Sequence, residues 1–253
     1  MAQIGQLVKE ADIILEVVDA RFVELTRNKA IEGKILSKGK KLIIAINKAD
    51  LVDKDTLEIE KQRLAKNSRV RVVFVSAKNK DGMNLLRREI GMARGNKAEV
   101  VIGLLGYPNS GKSTLINSLS GTGRGKVGTS KRAGFTRGLQ RIRIGDGAYL
   151  IDAPGIIPYG LKDEFELFMV GAKNSNQLHD VETIALRIIQ TFKEPITKKL
   201  NLTKTDEEEM LEEIAITRHF LSKGGIADTP KAARWLLERY EQNELGRVWQ
   251  NTR

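Results

Sequence analysis

The chain has no cysteine, which excludes disulfides, a thiolate zinc site and a thiol nucleophile. No stretch reaches the roughly 18 uninterrupted apolar residues that a membrane span needs. The opening residues, MAQIGQLVKEADII, lack the basic, apolar, small-residue order of a secretory signal. A cytoplasmic protein with no membrane association is the expectation. Internal repeats and low-complexity tracts are also missing. Acidic side chains are absent from Ser113 to Gly145, a stretch that holds Arg124, Lys126, Lys131, Arg132, Arg137, Arg141 and Arg143. Positive charge gathered this way releases counterions from a phosphate backbone and points to RNA or DNA as a partner.

What is present is enough for one α/β domain and a smaller second one, in 253 residues of net charge +11. Near-continuous apolar runs at 12–20, 41–48, 70–77, 99–107 and 148–155 read as strands buried on both faces. Helical candidates lie between them, around 27–38, 53–66, 82–93 and 112–119. This alternation predicts a mostly parallel sheet covered by helices, with ligands outside the carboxyl ends of the strands. After Gly155 the texture becomes helical. Val181, Ile184, Ala185, Ile188, Ile189 and Phe192 mark one helical face. Thr205 and Glu208 have capping-box spacing, and Lys223-Gly224-Gly225 is expected to end the helix that follows. Thr229-Pro230 opens another helix, running to about Asn243. The expected division is a P-loop α/β domain over 1–158 and an all-helical domain over 159–253. Trp235 and Trp249 are expected to anchor the helical bundle.

The motifs fall at strand ends. Gly106-x-x-x-x-Gly111-Lys112-Ser113 follows a predicted strand and opens a predicted helix, the context of a phosphate loop. Its glycines let backbone N–H groups converge on phosphates, and the helix N-terminus adds partial positive charge. Asn109, Ser110, Gly111, Lys112, Ser113 and Thr114 are therefore nucleotide-binding candidates. Lys112 would bridge the β- and γ-phosphates and Ser113 would bind magnesium. Asp152-Ala153-Pro154-Gly155 ends another strand; the carboxylate would hold magnesium through water, and the Gly155 N–H would meet the γ-phosphate. Thr136, in AGFTRG, is the candidate second hydroxyl ligand to magnesium, with Thr129 and Ser130 competing for the role. Lys112, Thr136 and Gly155 are the catalytic candidates.

AINKADLV, at 45–52, carries Asn47-Lys48-x-Asp50. A carboxylate at Asp50 accepts two hydrogen bonds from guanine, while adenine would leave it desolvated and unpaired, a discrimination of roughly 10⁴-fold. Asn47 is expected to brace a neighbouring loop and Lys48 to lay its stem over the ring. Ser76-Ala77-Lys78, at the next strand end, would offer backbone N–H to the guanine oxygen. Here the base-reading motif precedes the phosphate loop, the reverse of ordinary GTPases. Chain termini that lie close can be joined while a loop elsewhere is opened. The order thus reads as a circular permutation, cut just after Asp152–Gly155.

With these motifs in this order, the sequence resembles the circularly permuted GTPases of ribosome assembly, the YlqF/RbgA type. ADIILEVVDAR (11–21), NKAD, SAK, GYPNSGKST, AGFT, DAPGI and, in the tail, GAKNSNQLHDVE (171–182) and FLSKGGIADTPKAARWLLERYEQNELGRV (220–248) carry the resemblance. It implies hydrolysis of GTP to GDP, coupled to maturation of the large ribosomal subunit, with the protein bound to ribosomal RNA. Bacterial members carry an N-terminal histidine discussed as catalytic. Here the only histidines are His179 and His219, so that role does not carry over. Ile156 stands where many GTPases place a water-orienting glutamine, and slow intrinsic hydrolysis stimulated by a ribosomal particle is expected. Asn109 is a candidate for holding potassium, or else a plain turn residue. Arg21 is expected to pair with Asp19. A monomeric switch is the leading expectation; the alternative is a guanine-nucleotide-regulated RNA or protein binding module with little hydrolysis.

Overall fold

The computed structural model describes residues 2–65, 69–120, 141–145, 147–152 and 163–245. They divide into two compact units, Met1–Gly160 and Leu161–Arg253. In the first, strands β1 (Ile13–Asp19), β2 (Lys41–Asn47), β3 (Val70–Phe74), β4 (Val100–Gly106), β5 (Arg141–Gly145) and β6 (Ala148–Asp152) form one sheet in the order β3-β2-β1-β4-β6-β5. All pairings are parallel except β5 with β6. The helices of this unit are α1 (Ala2–Glu10), α2 (Val23–Thr26), α3 (Lys29–Ser37), α4 (Lys54–Leu64), α5 (Met83–Arg94) and α6 (Lys112–Leu119).

The two central strands explain the apolar runs. Every residue of β1 is buried, and so are all but the last of β4, because helices cover both faces and leave no solvated side to alternate toward. Ile13, Leu15, Val17, Ile43, Ala45, Ile102 and Leu104 pack with Leu86 of α5 and Leu115 of α6 in one cluster. The chain leaves β1 for β2 and β3 on one side, then returns to β4 on the other. This reversal between β1 and β4 is a topological switch point, where ligands sit beyond the carboxyl ends.

The structure departs from the sequence expectations at several points. Helix α1 precedes the first strand, with Leu7 and Val8 buried. Gly103 of β4 permits its close approach, since a Cβ there would lie 3.0 Å from side-chain carbons of Leu7, Ala11 and Ile14. Strand β3 stops at Phe74, because Ser76 and Asp81 exchange N–H···O bonds of 3.0 and 3.1 Å in a turn. An edge strand, β5, for which no apolar run was expected, occupies the end of the acid-free basic stretch. In the tail, the cap of the helix at 207 is Asp206, not Thr205, since its carboxylate accepts from both Glu208 and Glu209 N–H.

The second unit comprises α7 (Glu164–Met169), α8 (Val181–Thr191), α9 (Lys193–Leu200), α10 (Glu207–Thr217) and α11 (Thr229–Glu241). Asp163, Asp180, Asp206 and Asp228 cap α7, α8, α10 and α11, each satisfying N–H groups that the helix itself leaves open. Ile184, Ala185, Ile188, Met210, Ile214, Ala233 and Leu237 are buried. Gly224 and Gly225 do not end α10. That helix stops at Thr217, and the glycines, both at positive φ, turn the chain between the bridged Leu221 and Ala227. Trp235 is half-buried under the guanidinium groups of Arg218 and Arg239, at 4.4 and 5.6 Å. The aromatic filling of the core is instead Phe168, Phe192 and Tyr240. Trp249 lies outside the described residues. Among those residues no helix is long and apolar enough to cross a membrane.

Glu16 is a buried acid in the middle of β1. It accepts the Asn28 N–H at 2.8 Å. Burial and the charge of Glu32 push its carboxyl from 4.5 up to about 8. The folded state thus holds a proton that the unfolded chain has released. Stability from this group is full below about pH 4.5, where both states are protonated, and falls as pH rises toward 8. Chemical denaturation from pH 5 to 8 is therefore expected to show the wild type losing stability relative to Glu16→Gln as pH increases.

Candidate functional site

The motifs found in sequence converge at the carboxyl ends of β3, β2 and β4, with the end of β1 lying between the last two. Asn47 is the last residue of β2 and lies opposite Asp19, the last of β1. Lys48 then takes a left-handed conformation, φ 62° and ψ 30°, at a backbone cost of roughly 1–2 kcal/mol for a non-glycine residue. This turns the chain at once into a 3₁₀ turn, Ala49–Leu51, which carries the half-buried Asp50. The turn is fixed from below by the Ala49 N–H, which donates to Val75 at 3.1 Å.

The phosphate loop leaves β4 at Gly106. Asn109 and Gly111 have φ of 58° and 90°, so the loop winds back on itself before α6 begins at Lys112. The left-handed backbone of Asn109 is that of a turn asparagine. Ser110 is buried, with its hydroxyl donating to Tyr107 O at 3.0 Å. The Lys112 ammonium donates to the Gly106 and Tyr107 carbonyls at 2.9 and 2.7 Å, lying along the loop. Ser113 and Thr114 are exposed in the first turn of α6.

One side chain joins these loops. Asn47 is buried, and its Nδ2 donates to the Ser110 carbonyl at 2.8 Å while its Oδ1 accepts the Ala77 N–H at 3.0 Å. Residues 47, 77 and 110 are thereby tied at a single carboxamide. The Ala77 N–H is thus engaged by Asn47, and the neighbouring Ser76 N–H donates to the Asp81 carbonyl. Ser76 is buried, and Lys78 is exposed. Strand β1 alone separates β2 from β4. At the usual strand spacing the base-reading and phosphate loops are therefore roughly 10 Å apart, the scale of a single nucleotide.

Beside Asn47 lies a pairing that the sequence only half disclosed. Arg21 grips Asp19 through Nε at 2.9 Å and a terminal nitrogen at 2.8 Å, and the Lys48 ammonium reaches the same carboxylate at 2.7 Å. Burial alone would raise the Asp19 carboxyl. The charge and hydrogen bonds of Arg21, then those of Lys48, hold it below the ordinary range. Lys48 is drawn below the usual lysine value by burial, against the pull of Asp19. The Asp19–Lys48 link carries no spacing signature, since the partners sit on neighbouring strands 29 residues apart. Thr136 and Gly155 lie outside the described residues, as does the Asp152 side chain; the Asp152 backbone pairs with Leu104.

Gly111 is where the loops touch. A Cβ there would come within 2.2 Å of Asn47 Nδ2, on a backbone that disfavours any side chain. Gly111→Ala is expected to break the Asn47–Ser110 bond and abolish the rise in melting temperature that GDP produces, as measured by thermal denaturation with and without nucleotide.

Comparison with known proteins fits this geometry. The family described as 50S ribosome-binding GTPase matches residues 101–220, and that described as ferrous iron transport protein B matches residues 4–90. An uncharacterized GTP-binding protein of Methanocaldococcus jannaschii is 39% identical over 249 residues, with 96% of this chain and 65% of that protein covered. This chain thus spans just under two thirds of that relative. Ribosome biogenesis GTPase A of Bacillus licheniformis is 30% identical over 263 residues, covering 96% of this chain and 91% of its own. The GDP-bound structure of TM YlqF aligns with a TM-score of 0.71 at 25% identity, over 99% of both chains. A base-reading strand written first, a phosphate loop written later and one sheet that reunites them are thus shared along nearly the full length, and the chain belongs to the YlqF/RbgA family of circularly permuted ribosome biogenesis GTPases.

Proposed function

We propose that this GTPase binds GTP and GDP across the ends of β2, β1 and β4 and acts as a nucleotide-dependent assembly factor for the large ribosomal subunit. The observation that carries the reading is the Asn47 carboxamide, which ties the base-reading turn to the phosphate loop and to Ala77. Asp50 accepts the two guanine donors that adenine lacks. Lys112 exchanges its loop carbonyls for the β- and γ-phosphates, and the N-terminus of α6 adds its partial positive charge. Ser113, exposed in that first turn, fits a hydroxyl donor to magnesium, with Thr136 and Asp152 as the proposed companions. The ion supplies neutralisation of charge on the phosphate oxygens. Gly155 offers its N–H to the γ-phosphate. The protein acts as a monomer in the cytoplasm. Arg141 and Arg143, two residues apart and so on one face of edge strand β5, continue the basic run toward ribosomal RNA.

With Ile156 in place of a water-orienting amide, the isolated protein is expected to turn over on the order of 10⁻⁴ per second. Phosphate-release assays should show acceleration by at least about tenfold when purified large subunits are added. An unchanged rate would favour the reading of a nucleotide-regulated RNA or protein binding module. Asn109 is the group assigned to a monovalent cation that offsets charge developing on the phosphates. Hydrolysis is expected to run faster in potassium than in sodium chloride at equal ionic strength, and equal rates would remove that role.

A further inference from the structure

Strand β1 ends in a carboxylate that the nucleotide chemistry above does not use. Asp19 is 1% exposed. Its Oδ1 accepts the Arg21 N–H at 3.0 Å and Arg21 Nε at 2.9 Å, and its Oδ2 accepts an Arg21 terminal nitrogen at 2.8 Å and Lys48 Nζ at 2.7 Å. The arginine fork already covers both oxygens. A second cation is therefore not needed to keep this acid buried, and two cations on one carboxylate repel each other. The arrangement makes sense from the side of the lysine.

Lys48 is fixed at both ends. Its backbone is held in the left-handed turn that follows β2, and its ammonium is held at the end of β1. The methylenes between are drawn across the carboxyl edge of the sheet, between the turn bearing Asp50 and the strand beside the phosphate loop. We infer that Asp19 is a positioning residue of the guanine site. It pre-sets the Lys48 stem as a rail for one face of the base, and Arg21 locks the carboxylate that anchors it. The inference rests on the assignment of Lys48 to that site. A lysine without the anchor would have to surrender its rotamer freedom on binding, which lowers affinity by roughly tenfold.

A double-mutant cycle with GDP as the probe, read by isothermal titration calorimetry, tests this. Asp19→Asn keeps the shape of the side chain and removes the anchor, and is expected to weaken GDP binding about tenfold. In a Lys48→Met chain, which has no ammonium to anchor, adding Asp19→Asn should change the affinity by less than about twofold. An equal loss in both backgrounds would mean that Asp19 merely supports the fold, and would overturn the inference. So would wild-type affinity in Asp19→Asn. Should that variant not fold, Asp19→Glu keeps the charge and displaces the oxygens by one methylene, and the same background-dependent loss is expected. If the wild type itself fails to bind GDP, the site assignment falls rather than this inference.

Discussion

Three stretches separated by 30 and 63 residues are held together by the side-chain amide of Asn47. A carboxamide suits the task because it offers a donor and an acceptor on one rigid plane. Here the donor faces a carbonyl of the phosphate loop and the acceptor faces an N–H of the third loop. Both bonds are buried, so neither is diluted by competition with water, and losing one leaves a desolvated polar group behind. Gly111 follows from this constraint: the carboxamide occupies the space that a Cβ would fill.

The ionic group at the end of β1 adds a second layer. Asp19 sits directly beside Asn47 in the strand register, so the residue that joins the loops and the residue that anchors Lys48 are neighbours across one parallel pairing. Hydrogen-bond geometry and charge are thus supplied by adjacent strand ends. Helix-covered strands provide the rigidity for this, because their residues have no solvated face along which to shift.

Much of this was legible in the chain. The strands announced themselves because burial on both faces demands unbroken apolar runs, and the motifs because phosphate and guanine recognition need fixed residues at fixed spacing. What was not legible depended on distance or on competition. Helix α1 hides in a short segment whose packing requires Gly103, about a hundred residues away. Strand β5 alternates arginine with isoleucine, and its charge masked its period of two. Asp206 outcompetes Thr205 as a cap because its carboxylate reaches two N–H groups. Trp235, a large aromatic, is taken up by arginines rather than by the core. The Asp19–Arg21 pair was readable as neighbours in sequence; the Lys48 partner required knowing that β1 and β2 lie side by side.

The strand order also bears on how the molecule is assembled. Ile13 meets Lys41 only 28 positions later, but its pairing on the opposite side, with Ile102, waits for 89. A ribosome making this protein releases β1, β2 and β3 while the other edge of β1 has no strand beside it. The pairing with the longest separation in sequence is therefore the one at the centre of the sheet. Such long-range closure slows folding, and the interval before it leaves an apolar strand edge open to pairing with other chains.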